Sequence, residues 1–196
     1  MSSPSRPLHG RLRDAVVAVA LVLLAACGPH AGESGEPRPG AYVAPGASLA
    51  VPVRGVRAEQ LRDSYSAPRS GGRVHSAIDI MAPRGTPVVA AGDGTILKLR
   101  TGGMGGVTVY QLARDGRTLY YYAHLQRYAA GIREGIPIQQ GEVIAYVGDT
   151  GNAGAGNYHL HFSVSHLRDA RRWWEGENVN PYPLLAGSAA ASREGK

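Results

Sequence analysis

The chain has 196 residues, 43% of them hydrophobic, with 27 glycines, 13 prolines and a single cysteine. That length suits one core-forming domain with appendages, and the glycine content favours short strands and tight turns over long helices. The formal net charge of +6 is not gathered into a Lys/Arg cluster interleaved with aromatics, which argues against nucleic acid as a partner. The lone cysteine excludes an internal disulfide.

The N-terminus reads as an export signal. Arg6, Arg11 and Arg13 precede an apolar run from Ala15 to Leu24, too short to span a bilayer as a mature helix. Leu24-Ala25-Ala26-Cys27 follows. It resembles a bacterial lipobox, an apolar residue and two small ones before a cysteine, so lipid attachment to Cys27 is expected and residues 1–26 form the leader. Its removal takes away three arginines and one aspartate and leaves a net charge of +4, which draws the chain toward an anionic envelope. Gly28 follows the cysteine where sorted lipoproteins can carry Asp. In a host with two membranes that resemblance points to the outer membrane, facing the periplasm. Residues 27–48 are rich in Gly, Pro, Ala and Ser without periodicity and read as a flexible tether.

A domain over residues 49–186 follows. Residues 51–56 are expected as a short strand, 58–63 as one helical turn and 70–72 as a loop. Residues 74–81, Val-His-Ser-Ala-Ile-Asp-Ile-Met, read as a strand on which His75, Ala77 and Asp79 share a face. Residues 87–91 and 95–99 flank Gly92-Asp93-Gly94 and read as a hairpin. The glycine-rich loop 101–106 lacks the Lys-Ser/Thr of a phosphate-cradling loop. A second hairpin pairs 107–112 with 118–124 across Arg114-Asp115-Gly116, and 142–147 is another strand. The loop 148–157 then delivers the chain to Tyr158-His159-Leu160-His161-Phe162-Ser163-Val164-Ser165. Strict alternation there puts Tyr158, Leu160, Phe162 and Val164 on a core face and both histidines on the other. The Trp173-Trp174 pair is expected to pack against the closing segment Asn180-Pro181-Tyr182-Pro183, with contact to glycan as the alternative, and residues 187–196 are expected to be disordered.

Histidines thus stand in three separated segments: H-x-x-x-D, Tyr-Ala-His-Leu and H-x-H. Catalytic zinc commonly takes three ligands from His, Asp and Glu and keeps one position open. His75, Asp79 and one of His159 or His161 fit that set. The other member of that pair and His124 remain as imidazoles suited to proton transfer. No G-x-S-x-G nucleophile motif competes. Structural zinc sites are usually closed and Cys-rich, and Cys27 belongs to the leader boundary.

These segments, with Ala82-Pro83-Arg84-Gly85-Thr86-Pro87-Val88, Ala91-Gly92-Asp93-Gly94, Gln140-Gly141-Glu142-Val143-Ile144 and Gly148-Asp149-Thr150-Gly151 between them, resemble the catalytic core of the lysostaphin-like, or LytM-type, zinc endopeptidases. The resemblance covers about half the chain. It implies a mainly β fold, an antiparallel sheet with a groove, and one zinc ion held by His75, Asp79 and His161. It also implies His124 and His159 as the catalytic histidines, and the peptide cross-links of bacterial peptidoglycan as substrate. The alternative it carries is a non-catalytic wall-binding activator of other hydrolases, in which the ligands are lost; here the set is complete. A regulatory protein partner is not identified. Two residues depart from the family pattern: Ala77 where glycine is usual, and Asn157-Tyr158 where Gly-Pro is common.

Overall fold

The computed structural model describes residues 49–194, with side chains as far as residue 187. The expected leader, the expected tether with Cys27 and the last two residues lie outside the described residues. The described residues form nine strands, β1 (Ile78–Met81), β2 (Pro87–Val89), β3 (Gly94–Arg100), β4 (Val107–Ala113), β5 (Thr118–Tyr128), β6 (Pro137–Ile138), β7 (Val143–Val147), β8 (His159–His166) and β9 (Glu177–Val179), before a helix, α1 (Pro181–Glu194). Every pairing is antiparallel. The mainly β, antiparallel architecture expected from the sequence is the one observed.

Alternation along β8 acts as the pleat requires. Leu160, Phe162 and Val164 are fully buried beneath the sheet, with Ile78, Tyr122, Leu125 and Ile144. Each such side chain contributes about 1.5–3 kcal/mol of burial. Beneath β5, the Tyr122 hydroxyl donates to Gln111 and accepts from the Ala91 backbone, while Gln111 donates to the Gly92 carbonyl. Burial pushes the Tyr122 hydroxyl far above its ordinary pKa, so this network stays neutral.

Strand β5 organises the sheet. Residues Thr118 to Ala123 pair with β8, while Leu125 to Tyr128 pair with β7. The change of partner falls at His124, whose φ is +60°. The β4 register also slips here, from Val109 opposite Tyr122 to Val107 opposite Leu125. One extra residue in a ladder bends and twists its strand, so the sheet forks at His124.

Several expectations change. The segments 87–91 and 95–99 are not a hairpin: β2 pairs with β7, and β3 pairs with β4 and β6. Ala90 and Ala91 are fully buried, and their backbones bond to Glu142, Gly141 and Ala50. Gly94 lies so close to the Leu112 carbonyl that a Cβ would stand 2.1 Å from it. The intervening residues therefore turn a corner between two pairings. Residues 51–56 form a single bridge, Val53 to Val88, not a strand. Helix α1 runs through most of the segment expected to be disordered, beginning at Pro181 and entering an alanine-rich stretch.

Candidate metal centre and groove

Strand β1 lies beside the first half of β8, with Asp79 opposite His161. On the other side Ala123 of β5 is opposite His161. Paired residues share a face, so Asp79, His161 and the small Ala123 define the floor of a cavity of about 620 Å³.

His75 reaches this floor by a different route from the one its sequence suggests. It precedes β1, and Ser76 after it has φ +55°. A left-handed residue breaks the alternation and turns the preceding imidazole inward. The His75 Nδ1–H donates to the Ser64 carbonyl at 2.9 Å, which turns Nε2 toward the floor. That Nε2 stands 3.0 Å from Asp79 Oδ1 and 3.0 Å from His161 Nδ1, and His161 Nδ1 is itself 3.0 Å from Asp79 Oδ1. Ala77 is fully buried with no left-handed φ, so the departure from glycine is accommodated.

The donor set tests whether a metal fits. One nitrogen from each of two histidines and one carboxylate oxygen converge at 3.0 Å from one another. Atoms this close need a cation among them, a shared proton or a metal ion. Two imidazoles and one carboxylate are the ligand chemistry of an open zinc site. His75, Asp79 and His161 therefore fit a divalent metal.

Arg69 donates to the outer oxygen of the same carboxylate, Asp79 Oδ2, at 2.5 Å. Ser64 Oγ accepts from the Asp79 backbone N–H. Burial alone would raise the Asp79 carboxyl. Its contacts with His161, His75 and Arg69 outweigh burial and hold it far below the usual carboxylate range. Arg69 thus fixes which oxygen faces the histidines.

His124 and His159 complete the floor. Their ring centroids are 5.0 Å apart, and His124 is 5.6 Å from His161. His159 Nε2 is 3.8 Å from Asp79 Oδ1. His159 Nδ1–H donates to the Asn157 carbonyl, and His124 Nδ1–H donates to the Thr150 carbonyl, each at 2.8 Å. Both rings therefore keep Nε2 free for proton exchange. Burial pushes the His124 imidazole down to about 4, against the pull of the Thr150 carbonyl, so it is neutral near pH 7.

The five residues expected to carry the chemistry, His75, Asp79, His124, His159 and His161, come together. His124 does so against strict alternation, which would send it to the core beside Tyr122; the bulge turns it up. Thr150 secures that bulge. Its hydroxyl donates to the Leu125 carbonyl at 2.7 Å and accepts from the Val107 N–H at 2.9 Å. Gly106 packs against Thr150 so closely that a Cβ would stand 2.2 Å from its Oγ1. Sequence reasoning did not single out Arg69, Ser64 or Thr150 as parts of the centre. Only Thr150 carried a signal, its place in the Gly-Asp-Thr-Gly segment.

Residues 73–181 match the profile of Peptidase family M23. The DD-carboxypeptidase/endopeptidase Mpg of Neisseria meningitidis serogroup B is 41% identical over 110 residues, covering 56% of this chain and 22% of that protein. The L-Ala–D-Glu endopeptidase of Bacillus subtilis is 32% identical over 121 residues, 59% of this chain and 35% of that one. The chain thus spans well under half the length of these relatives. The catalytic domain of lysostaphin from Staphylococcus simulans superposes with a TM-score of 0.53 at 25% identity, covering 65% of this chain and 94% of that domain.

Proposed function

Since the chain belongs to peptidase family M23, we propose that it is a zinc metalloendopeptidase that hydrolyses peptide cross-links of bacterial peptidoglycan. The observation that carries this reading is the convergence of His75, Asp79 and His161 within hydrogen-bond distance of one another, beside two imidazoles with free Nε2 atoms. Among the described residues, Asp79 is the sole carboxylate lining the cavity. Glycosidases generally need two, so the lining supports amide over glycosidic cleavage. The names of the Neisseria and Bacillus relatives also specify peptide bonds. The Neisseria relative, at the higher identity, is named a DD-carboxypeptidase/endopeptidase, which favours a D-alanyl cross-link over the L-Ala–D-Glu bond as the one this chain cleaves.

His75, Asp79 and His161 would hold a zinc ion, which would supply Lewis acidity to the scissile carbonyl and to water. The chain's own groups do the rest. The Nε2 atoms of His124 and His159 accept the proton of the attacking water and return one to the leaving amine. The hydrogen bonds to Thr150 and Asn157 hold these rings in one tautomer and orientation. Arg69 keeps Asp79 ionised and aimed.

Leu24-Ala25-Ala26-Cys27 supports lipid anchoring at Cys27, with residues 27–48 as the tether. In a host with two membranes the domain would then face the periplasm from the outer membrane. Cys27→Ser should yield protein without acyl groups by intact mass. An unacylated wild type would remove the anchor from this reading.

The test of activity is mass spectrometry of purified sacculi incubated with the full chain. Cross-linked dimers should convert to monomers with glycan strands intact, and a chelator should stop the conversion. Release of sugars with dimers untouched overturns the reading, and no change at all favours a non-catalytic wall-binding role.

A further inference from the structure

A second recess opens from the metal centre along the same face of the sheet. His75, Tyr121 and His161 line both cavities, so the two are continuous. From there the recess follows β8 past Ser163 to Ser165, about 13 Å at the rise of a strand.

Its wall is a relay of aromatic rings. Tyr121 lies 6.1 Å from His161, Tyr110 is 4.7 Å from Tyr121, and Trp173 is 4.6 Å from Tyr110. Trp174 stands across Trp173 at 84° and is 64% exposed. The tryptophan pair therefore does not simply seal the closing segment. Trp173 is the packed member, and Trp174 presents its ring to solvent at the recess. The backing rings hold that surface in place before any ligand arrives, which lowers the ordering cost of binding.

The recess is also uncharged. Among the described residues no Asp, Glu, Lys or Arg lines it, whereas Arg69, Arg73 and Asp79 line the neighbouring cavity. A carboxylate or an ammonium group finds no counter-charge there. Hydrogen bonding is available instead. Ser163 lines the recess with no side-chain hydrogen bond to the described residues, and Ser165 donates to the Asn178 side chain beside it. Flat apolar rings with neutral hydroxyl and amide groups suit a ligand that is itself neutral, flat on one face and rich in hydroxyls.

We propose that this recess is a saccharide subsite that holds a neutral N-acetylated amino-sugar ring of the glycan strand against Trp174. The inference rests on the peptidoglycan reading above and assigns it a second point of contact. The span fits: an extended peptide covers about 3.3–3.6 Å per residue, so about four residues join a bond at the histidines to a ring at the far end of the recess.

Two measurements test it on the full chain. The first compares cross-linked dimers that carry their disaccharides with the same dimers stripped of sugar by an amidase. The wild type should show a KM about tenfold lower for the sugar-bearing form, the worth of one aromatic contact, and Trp174→Ala should erase that preference. Equal KM values in the wild type, or a preference that survives Trp174→Ala, overturn the subsite. The second needs no turnover. Titration with a tetramer of N-acetylglucosamine should change the indole fluorescence saturably, and Trp174→Phe should abolish most of that change. An unresponsive wild type overturns the proposal. If neither dimer is cleaved but the sugar still binds, the endopeptidase reading fails and the subsite stands.

Discussion

The Nδ1–H of His124 donates to the carbonyl of Thr150, while the hydroxyl of the same threonine donates to the carbonyl of Leu125, the residue after His124. Thr150 therefore grips both the ring and the backbone of a left-handed bulge. A non-glycine residue in that conformation costs about 1–3 kcal/mol and persists only where its surroundings hold it. Thr150→Val removes the hydroxyl but leaves the carbonyl. We expect kcat to fall about tenfold with KM and bound metal little changed, and Thr150→Ser to recover most of the loss. Metal loss in parallel with kcat would mean that Thr150 supports the whole floor and not His124.

The division of labour among the histidines is separable by elemental analysis. Substitution of His75, Asp79 or His161 by Ala should release most of the metal, because three convergent donors become two. His159→Ala and His124→Ala should retain much of it while turnover drops by about 10²–10⁴, the usual worth of an acid–base group. Equal metal loss in His159→Ala and His161→Ala contradicts the assignment.

Arg69 acts on the metal through Asp79. Arg69→Gln leaves Asp79 Oδ2 without its cationic partner, and metal affinity should weaken about 10–100-fold, as for other groups that orient a ligand. Competition with a chromogenic chelator reads this directly. Unaltered affinity would make the Arg69–Asp79 pair a surface ion pair of little consequence.

Acid should weaken the metal-free fold. The His124 imidazole titrates at about 4 when folded, against an ordinary value of 6.5. The unfolded chain therefore takes up its proton first, and stability is lost as pH falls from 6.5 toward 4, by about 2 kcal/mol at pH 5. Asp79, held below its ordinary value of 3.8, contributes stability above that value and loses it as pH falls further. Urea midpoints of the metal-free protein at pH 7 and pH 5 measure the first effect, and His124→Asn, which tolerates a left-handed backbone, should flatten it. Activity should fall on the same side, because ligand imidazoles bind metal only when neutral. A rate flat down to about pH 4 contradicts the scheme.

Much of the centre was legible in the sequence because strand alternation is a local rule. It put His159 and His161 on one face and Leu160 and Phe162 on the other, and the structure agrees. It does not describe His75 or His124. Both owe their direction to a left-handed φ, at Ser76 and at His124 itself, and neither residue is a glycine that would have marked the spot. The expected hairpin across Gly92 failed for a non-local reason. Residues on both sides of that turn satisfy their backbones with distant partners, and spacing alone does not reveal them. Arg69 reads as an ordinary loop cation until the fold brings it to Asp79, ten positions along the chain.

The fork of the sheet at His124 also separates what is fixed from what is free. The reactive floor consists of side chains on the paired strands β1, β5 and β8, joined by His75 just before β1. The rims, residues 101–104, 152–156 and 170–176, are loops and one 3-10 turn, whereas Gly105, Gly106, Thr150 and Asn157 hold the floor. A change in the length or charge of those rims leaves the ladder register under the histidines where it is. The same hydrolytic floor can therefore be offered to differently branched or differently charged substrates by exchange of its borders alone.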